Sequence, residues 1–532
     1  MSKISLKGMW NFVYKPVLEK VDGYPVLPAP NAFLFKMKLP GCWDDCLELF
    51  REQGLWGELK FNPDYKRTEL PFNYDVSLPY ILGTGWYKIK FFVPAEWRKK
   101  RIIFCSEDVH LEGWLWCNGK ACAHHRTHST PFEVDLTEKC NFGKENELIL
   151  AISNLRNDIL GCDIRGFAGH SGGVFGDIYL KVLDEPAVKS LYIYPDEELK
   201  ELNWQLGFYN EEPSTRVAYQ IADDKGNIVL KGNISASNRT ACWQTSARPL
   251  KRWSDREPCL YTAKATTYQN GKECNSITQK FGLRRLLKKG MGLMLNGEPI
   301  YLRGATEHCY FPLSCTPPRD KSFYRENIKK LKALGFNWLR FHTWIPPAEY
   351  LEAADELGML LQLEPPRGFN EVDWRNIVEY ARIHPSAVIM CCGNEEMLSL
   401  QKIDELKNLA SLARRLAPDL LFNPQEAMRG VEYFLYETDS HNELEPYPHN
   451  HFRLELLKKF SDVFGSFNWS MLSYESINGD WQEIDRRLAA YEKPCLSHEA
   501  GIHGAFMDLD LEHRYEGTRI GTDLYSAMRR NL

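Results

Sequence analysis

Through residues 1–185, apolar and polar positions alternate in short runs punctuated by Gly, Asn and Pro. The segments GTGWYKIKFFVP (83–94), RIIFCSE (101–107), LEGWLWCNGK (111–120), ENELILAISN (145–154) and GDIYLKVL (176–183) have the period of two that sends successive side chains to opposite faces of a strand. Asn118-Gly119 is a hairpin signal, since both residues tolerate the positive φ of a tight turn. The pattern predicts a jelly-roll-like β-sandwich over 1–185. The acidic, Pro-containing stretch LDEPAVKS (183–190) interrupts it. Over 186–286 short alternating runs return: LYIYP, NWQLGFYN, RVAYQIAD, GNIVLKGN and LYTAKATTYQNG. About a hundred residues with regular turns predict an immunoglobulin-like β-sandwich without its disulfide.

The pattern changes over 287–532. Apolar runs now alternate with amphipathic ones of helical period: EPIYLRGA, then KSFYRENIKKLKALG; NWLRFH, then PAEYLEAADELG; MLLQLE, then VDWRNIVEYARI; AVIMCCG, then QKIDELKNLASLARRLA. DLLFN, RLELLKKF, SDVFGSF, WQEIDRRLAAYE and PCLSHE follow. Strands apolar on both sides, separated by helices, indicate a parallel sheet covered by helices. So many consecutive units favour a closed (β/α)8-type TIM barrel. Strands begin near 299, 336, 359, 387, 419, 462 and 495, one fewer than the eight a barrel needs. Either two strands merge in 420–460, or the chain is shorter than the full protein and the barrel lacks its last strand; the second is the expectation.

Composition narrows the class without deciding it. The 532 residues are 44% hydrophobic and 26% charged, with net charge −5, which disfavours a nucleic-acid surface. Arg98 to Arg101 is expected to be a solvated strand end. No segment has the ~18 uncharged apolar residues of a membrane span, and the N-terminus lacks the apolar stretch of a signal peptide. The 15 cysteines have no framework spacing and read as buried free thiols, which points to the cytoplasm. Aromatic residues make up 13% of the chain; they stack on sugars but also fill sandwich cores, so they do not discriminate.

Two glutamates close predicted strands at the end where barrel enzymes place chemistry. Glu395 follows AVIMCCGN, and Glu499 follows PCLSH. Glycoside hydrolysis needs such a pair: one carboxylic acid to protonate the leaving oxygen and one carboxylate to attack carbon or activate water. Strand-end glutamates also serve as salt-bridged rim residues, and spacing alone does not choose between the two. Cys122, His124, His125 and His128 resemble metal ligands by composition, but their spacing fits no zinc pattern and they are expected to be surface residues. GHSGGVFG (169–176) follows no strand-to-helix pattern and is not read as a phosphate cradle.

An ordered set of motifs then resembles glycoside hydrolase family 2, the family of β-galactosidases, β-glucuronidases and β-mannosidases. LPGCWDD (39–45), GWYKIKFFVP (85–94) and WLWCNGKACAHH with STPFEVDLT resemble its N-terminal sugar-binding sandwich. LKRWSDREPCLY (250–261) and FGLRR (281–285) resemble the end of its middle domain. LNGEPIYLRGATEH (295–308), LGFNWLRFHTWIPP (334–347), AADELGMLLQLE (353–364), HPSAVIMCCGNEE (384–396) and EKPCLSHEAG (492–501) resemble successive barrel segments.

The resemblance implies a retaining β-glycosidase with Glu395 as acid/base and Glu499 as nucleophile. It implies that Asn394 bonds the sugar 2-hydroxyl, that Arg340 keeps the nucleophile ionised, and that His308, Trp344, Glu364 and Asp163 (in CDIRGFAGHSGG) lie at the substrate. Asp163 reads equally well as a turn former. Glu396 is expected to be a structural ion-pair partner. A tyrosine expected before the nucleophile strand has four candidates, Phe467, Asn468, Trp469 and Tyr474, and the sequence does not choose among them. The Gln362-Leu363-Glu364 stretch stands where mannosidases carry a Trp-Gln-Asp cluster, which weighs against mannose. The implied partner is an oligosaccharide or glycoside. No cofactor is required, although there is room for a divalent cation, and a homo-oligomer is left open. The rival class is a non-catalytic carbohydrate-binding protein or an inactive fragment of such an enzyme.

Overall fold

The computed structural model describes residues 2–61, 81–156, 158–159, 161, 171–311, 313–314, 316–431, 447–466, 488–498, 508–518 and 521–531. Two antiparallel sheets face each other in the first region. One orders its strands Lys120–His125, Glu112–Cys117, Lys144–Ser153, Thr84–Val93, Gly8–Lys15 and Phe35–Leu39. The other orders Ser2–Ser5, Ile178–Asp184, Lys100–Ser106 and Phe132–Asp135. Trp10, Phe12, Tyr87, Leu115 and Leu150 from the first sheet pack against Ile102, Phe104, Val134 and Leu180 from the second. The alternation read from the sequence is therefore the alternation of core-facing and outward-facing positions. Asn118 and Gly119 adopt φ of 51° and 75°, as a tight hairpin turn requires.

Two expectations for this region need correction. His125 and His128 are buried rather than on the surface. His125 stacks on Phe132 at 4.8 Å, and His128 meets His110 edge-on at 5.1 Å. His124 lies flat on Trp114 at 4.7 Å with Nε2 2.7 Å from Glu112. These rings thus complete aromatic packing. Arg101 is not solvated either: its guanidinium pairs with Asp135 and Glu185 and is nearly buried. An outward arginine on an inner strand is covered when neighbouring strand ends supply carboxylates.

In the second region the runs NWQLGFYN and RVAYQIAD, read as separate strands, form one strand, Glu201–Ala222. Its partner Ile228–Ser246 is equally continuous. All five strands of this region belong to one hydrogen-bonded sheet. Register shifts between Gly207, Glu212 and Thr215 let the ribbon turn over. Trp204 and Tyr219 would be about 50 Å apart on a straight strand, yet their ring centroids are 5.3 Å apart. Two layers form as expected of a sandwich, but from strands that pass between them.

The third region contains a five-stranded parallel sheet: Gly304–Glu307, Trp338–Phe341, Leu360–Leu363, Ala387–Cys391 and Leu421–Asn423, in that order. Helices Lys321–Ala333, Ala348–Leu357, Glu371–Ala381 and Leu400–Leu416 join successive strands. Local signals set the helix ends: Asp320 and Ser399 cap from their side chains, Asn370 and Asp373 form a capping box, and Gly358 ends its helix at φ 71°. Phe464–Ser466 and Cys495–Ser497 form a separate parallel pair, so among the described residues no continuous ladder closes a barrel. The first strand also begins later than expected. Glu298–Ile300 pairs antiparallel with Gly292–Leu295 across the Asn296-Gly297 turn, and the parallel strand starts only at Gly304.

Buried polar contacts lock the regions together. Arg284 donates to Asp419 Oδ2 (2.8 Å) and to the carbonyls of Pro385 (2.9 Å) and Ala387 (2.7 Å). Thr127 in the first sandwich donates to Asp373 at 2.7 Å. Gly368 lies so close to the Asp158 carbonyl that a Cβ there would sit 1.8 Å from it. The first sandwich therefore abuts the loop that follows the third parallel strand, near the sheet's C-terminal edge.

Candidate active site

The C-terminal edge of the parallel strands gathers the polar side chains. Glu395 lies just beyond the fourth strand in a left-handed conformation, φ 54°, which costs a non-glycine residue on the order of 1–3 kcal/mol. Backbone bonds to the fifth-strand segment hold it there: Glu395 N–H donates to the Glu426 carbonyl (2.9 Å), and Glu426 N–H donates to the Gly393 carbonyl (2.9 Å). The side chain is 23% exposed. Arg429 Nη2 donates to its Oε2 at 2.8 Å, and His498 Nε2 lies 3.3 Å from its Oε1.

Arg340, at the end of the second strand, is the hub beneath it. The buried guanidinium donates from Nε to Glu364 (3.1 Å) and from Nη2 to Asn394 Oδ1 (2.6 Å), and its Nη1 lies 3.1 Å from His498 Nδ1. Burial opposes its charge, but Glu364 and Glu426 outweigh burial and raise its pKa further above the usual range. Glu364 is fully buried, and burial lifts its carboxyl above the usual value despite Arg340.

Glu426 is also fully buried and accepts from Gln362 (2.8 Å) and Asn423 (2.7 Å), while His498 Nδ1 lies 3.3 Å from its Oε2. Burial would raise its pKa, but the charge of Arg340 and the His498 bond prevail and lower it. His498 has no exposed side-chain surface. Burial opposes protonation of its ring, yet the bonds to Glu395 and Glu426 hold its pKa above the usual imidazole value. Among the described residues, no group of three or more His, Cys, Asp or Glu side chains is arranged to hold a metal ion.

The other expected site residues divide. His308 follows the first strand and stacks on His342, which follows the second, at 4.7 Å, forming a rim to the same edge. Trp344 is corrected: its indole is wholly buried, packs edge-on against Phe341 and Phe311, and donates to the Glu307 carbonyl at 3.0 Å. It is part of the core beneath the site. Glu364 is likewise a buried counterion to Arg340 and has no exposed surface. Glu396 pairs with Lys402 at 2.6 Å and with Arg367 at 3.6 Å. Glu499, Asp163 and the four tyrosine-position candidates, Phe467, Asn468, Trp469 and Tyr474, lie outside the described residues.

Residues 4–165 match the sugar binding domain of glycosyl hydrolases family 2, and residues 187–284 match a second domain of glycosyl hydrolases family 2. Both matches are to domains of glycoside hydrolase family 2, and they support a family 2 assignment for the chain. A β-galactosidase of Clostridium acetobutylicum is 24% identical over 485 residues, which is 82% of this chain and 51% of that protein. A putative β-glucuronidase of Formosa agariphila is 24% identical over 60% of this chain and 41% of its own length. The chain thus spans about half the length of the curated relatives it matches. Among solved structures, a family 2 member from Bacteroides cellulosilyticus superposes with TM-score 0.66 at 18% identity, covering 98% of this chain and 66% of that one. A Parabacteroides merdae β-glucuronidase gives TM-score 0.66 at 18% identity, covering 93% of this chain and 62% of that one.

Against this family 2 background, the sequence reading missed Glu426. Its one local signal was a carboxylate three residues beyond the strand DLLFN, level with Asn394 beyond the neighbouring strand. Gly465 makes room for it: a Cβ there would sit 2.2 Å from Glu426 Oε2. His498 was noted only as the residue before Glu499, and its burial between two carboxylates is a tertiary property. Among the described residues no helix is long and apolar enough to cross a membrane.

Proposed function

We propose that this family 2 chain is a retaining β-glycosidase acting on terminal β-linked sugars, and that its parallel-strand region is a (β/α) barrel carrying the catalytic edge. Glu395 is the acid/base and Glu499 the nucleophile. The observation that carries the reading is the placement of Glu395, at a strand's C-terminal end, beside Asn394 and against His498, the residue that precedes Glu499. The β-galactosidase and β-glucuronidase names of the relatives support the same reaction class.

In the first step Glu395 gives its proton to the glycosidic oxygen as Glu499 attacks the anomeric carbon and the C–O bond to the leaving group breaks. In the second, Glu395 takes a proton from water, whose oxygen bonds to the anomeric carbon and expels Glu499, giving net retention. Asn394, fixed by Arg340, presents its amide N–H to the sugar 2-hydroxyl. Arg340 offsets the charge of the buried carboxylates around the reacting centre. The chemistry uses no cofactor.

The test is turnover of a panel of aryl β-glycosides, with the first-formed anomer read by NMR and the nucleophile trapped by a fluorosugar. Retention with Glu499 labelled is the expected result. Inversion, or labelling of another carboxylate, overturns the assignment.

A further inference from the structure

His498 sits between two carboxylates and a guanidinium, and its two ring nitrogens face different partners. Nδ1 is 3.1 Å from Arg340 Nη1 and 3.3 Å from Glu426 Oε2, and Nε2 is 3.3 Å from Glu395 Oε1. Its backbone N–H donates to the Ser466 carbonyl at 2.9 Å, which pins the residue to the neighbouring strand. We propose that His498, oriented by Glu426, is the positioning residue for the acid/base: it holds Oε1 of Glu395 inward by donating to it, directs Oε2 to the leaving group, and strengthens that hydrogen bond as Glu395 loses its proton. This inference rests on Glu395 being the acid/base.

The chemistry follows from the donor and acceptor inventory of an imidazole. While Glu395 carries its transferable proton on Oε2, its Oε1 is an acceptor, and His498 donates to it from Nε2–H. Once Glu395 has protonated the leaving oxygen, its carboxylate needs a donor, and His498 supplies one from Nε2. In this neutral tautomer Nδ1 accepts from Arg340 Nη1, and the Nε2–H bond to Oε1 serves Glu395 both before and after it gives up its proton. An imidazolium is accommodated as well, donating to Glu426 and Glu395 together. A buried ring supports this only if a fixed anion waits at Nδ1, and Glu426 is fixed by Gln362, Asn423 and the absence of a side chain at Gly465.

Among the described residues, charged groups face His498 from three elements: Arg340 on the second strand, Glu395 after the fourth and Glu426 after the fifth. Glu364 pairs with Arg340 on the other side of the guanidinium. Arg429 holds the outer oxygen Oε2 in this structure, so a leaving group reaches Glu395 by replacing the guanidinium there.

The experiment compares His498→Gln, Glu426→Gln and the double variant with the native chain, on glycosides of dinitrophenol and of an alkyl alcohol. A positioning residue for the acid matters only where the leaving group needs a proton. His498→Gln should therefore leave kcat/KM for the dinitrophenyl glycoside within about threefold while lowering it for the alkyl glycoside by about a hundredfold, the low end of general-acid contributions. The alkaline limb of kcat/KM should rise by about one pH unit, because a donor to the Glu395 carboxylate is lost. Glu426→Gln should give a smaller effect of the same leaving-group pattern, and the double variant should be no worse than His498→Gln, since Glu426 acts through His498.

Equal losses on both glycosides with an unmoved alkaline limb, or additive losses in the double variant, would overturn the proposal. Should His498→Gln fail to fold, Glu426→Gln with ¹⁵N-imidazole NMR gives the same answer: the Nδ1 resonance must move on loss of the carboxylate, and an unchanged resonance rejects the contact. Glu395→Ala is the separate control. If it shows no leaving-group dependence, the acid/base reading itself fails; if it does and His498→Gln does not, only the positioning role of His498 fails.

Discussion

Arg340 donates from Nη2 to the side-chain oxygen of Asn394 at 2.6 Å, so the guanidinium at the end of the second parallel strand orients the amide at the end of the fourth. The same guanidinium is held from its other side by Glu364 at 3.1 Å. Removing it strands two fully buried carboxylates, Glu364 and Glu426, and breaking a buried pair in this way costs about 3–5 kcal/mol. Arg340→Ala should both lower the thermal midpoint and abolish measurable turnover. Arg340→Lys should keep a charge but lose the forked geometry, folding better than Arg340→Ala while still losing more than about tenfold in kcat/KM. Full activity in Arg340→Lys would show that the amide needs no such clamp.

Gly465 and Glu426 pack with no room between them: a Cβ on Gly465 would lie 2.2 Å from Oε2 and 2.3 Å from the carboxyl carbon. Gly465→Ala should displace Glu426 and with it His498. Overpacking of this kind costs about 1–3 kcal/mol. The expected signature in steady-state kinetics is a fall in kcat larger than any rise in KM, with chemical denaturation reading the stability loss. Wild-type kinetics in a stably folded Gly465→Ala would mean that Glu426 has space the structure does not show.

Asp419 ties the second region to the parallel sheet by accepting from Arg284 at 2.8 Å and from the Tyr192 hydroxyl. Asp419→Asn leaves a buried guanidinium without its carboxylate, so a loss of roughly 3 kcal/mol is expected in urea unfolding. The pair lies at the opposite, N-terminal side of the fifth strand from Glu426. Substrate KM should therefore stay within about twofold of the native value at temperatures where the variant is folded.

Burial pushes the His125 imidazole down from 6.5 to about 4. Below pH 6.5 the unfolded chain binds a proton that the folded ring refuses, so stability is full above the unfolded pKa and drains away as pH falls toward 4. Between pH 7 and pH 5 this one group accounts for about 2 kcal/mol. His125→Phe, which keeps a ring against Phe132, should lose less stability over that interval than the native chain. Identical pH dependence of the two melts would rule the contribution out.

Much of this architecture was legible along the chain. A period of two marked the first sandwich because one face of each strand is buried and the other is not, and the Asn118-Gly119 turn announced itself by residues that accept positive φ. Five parallel strands followed from apolar runs between amphipathic helices. The beginning of the first was misplaced because Glu298–Ile300 is apolar enough for either sheet, and only the Asn296-Gly297 turn commits it to the antiparallel one. Trp344 was expected at the substrate from the resemblance alone, and the sequence does not say which neighbours cover it; the structure buries it beneath the site.

The sequence by itself determined the alternation of strands and helices in the parallel region, the placement of Glu395 at a strand end, and the family that the ordered motifs resemble, because these depend on residues near one another along the chain. Tertiary structure alone decided that Glu426 is the anion behind His498, that Gly465 leaves the space for it, and that Arg340 reaches Asn394. Those contacts join residues from separate strands, whose side chains share a charge balance only after the parallel edge has assembled. No local pattern encodes a distance across that edge.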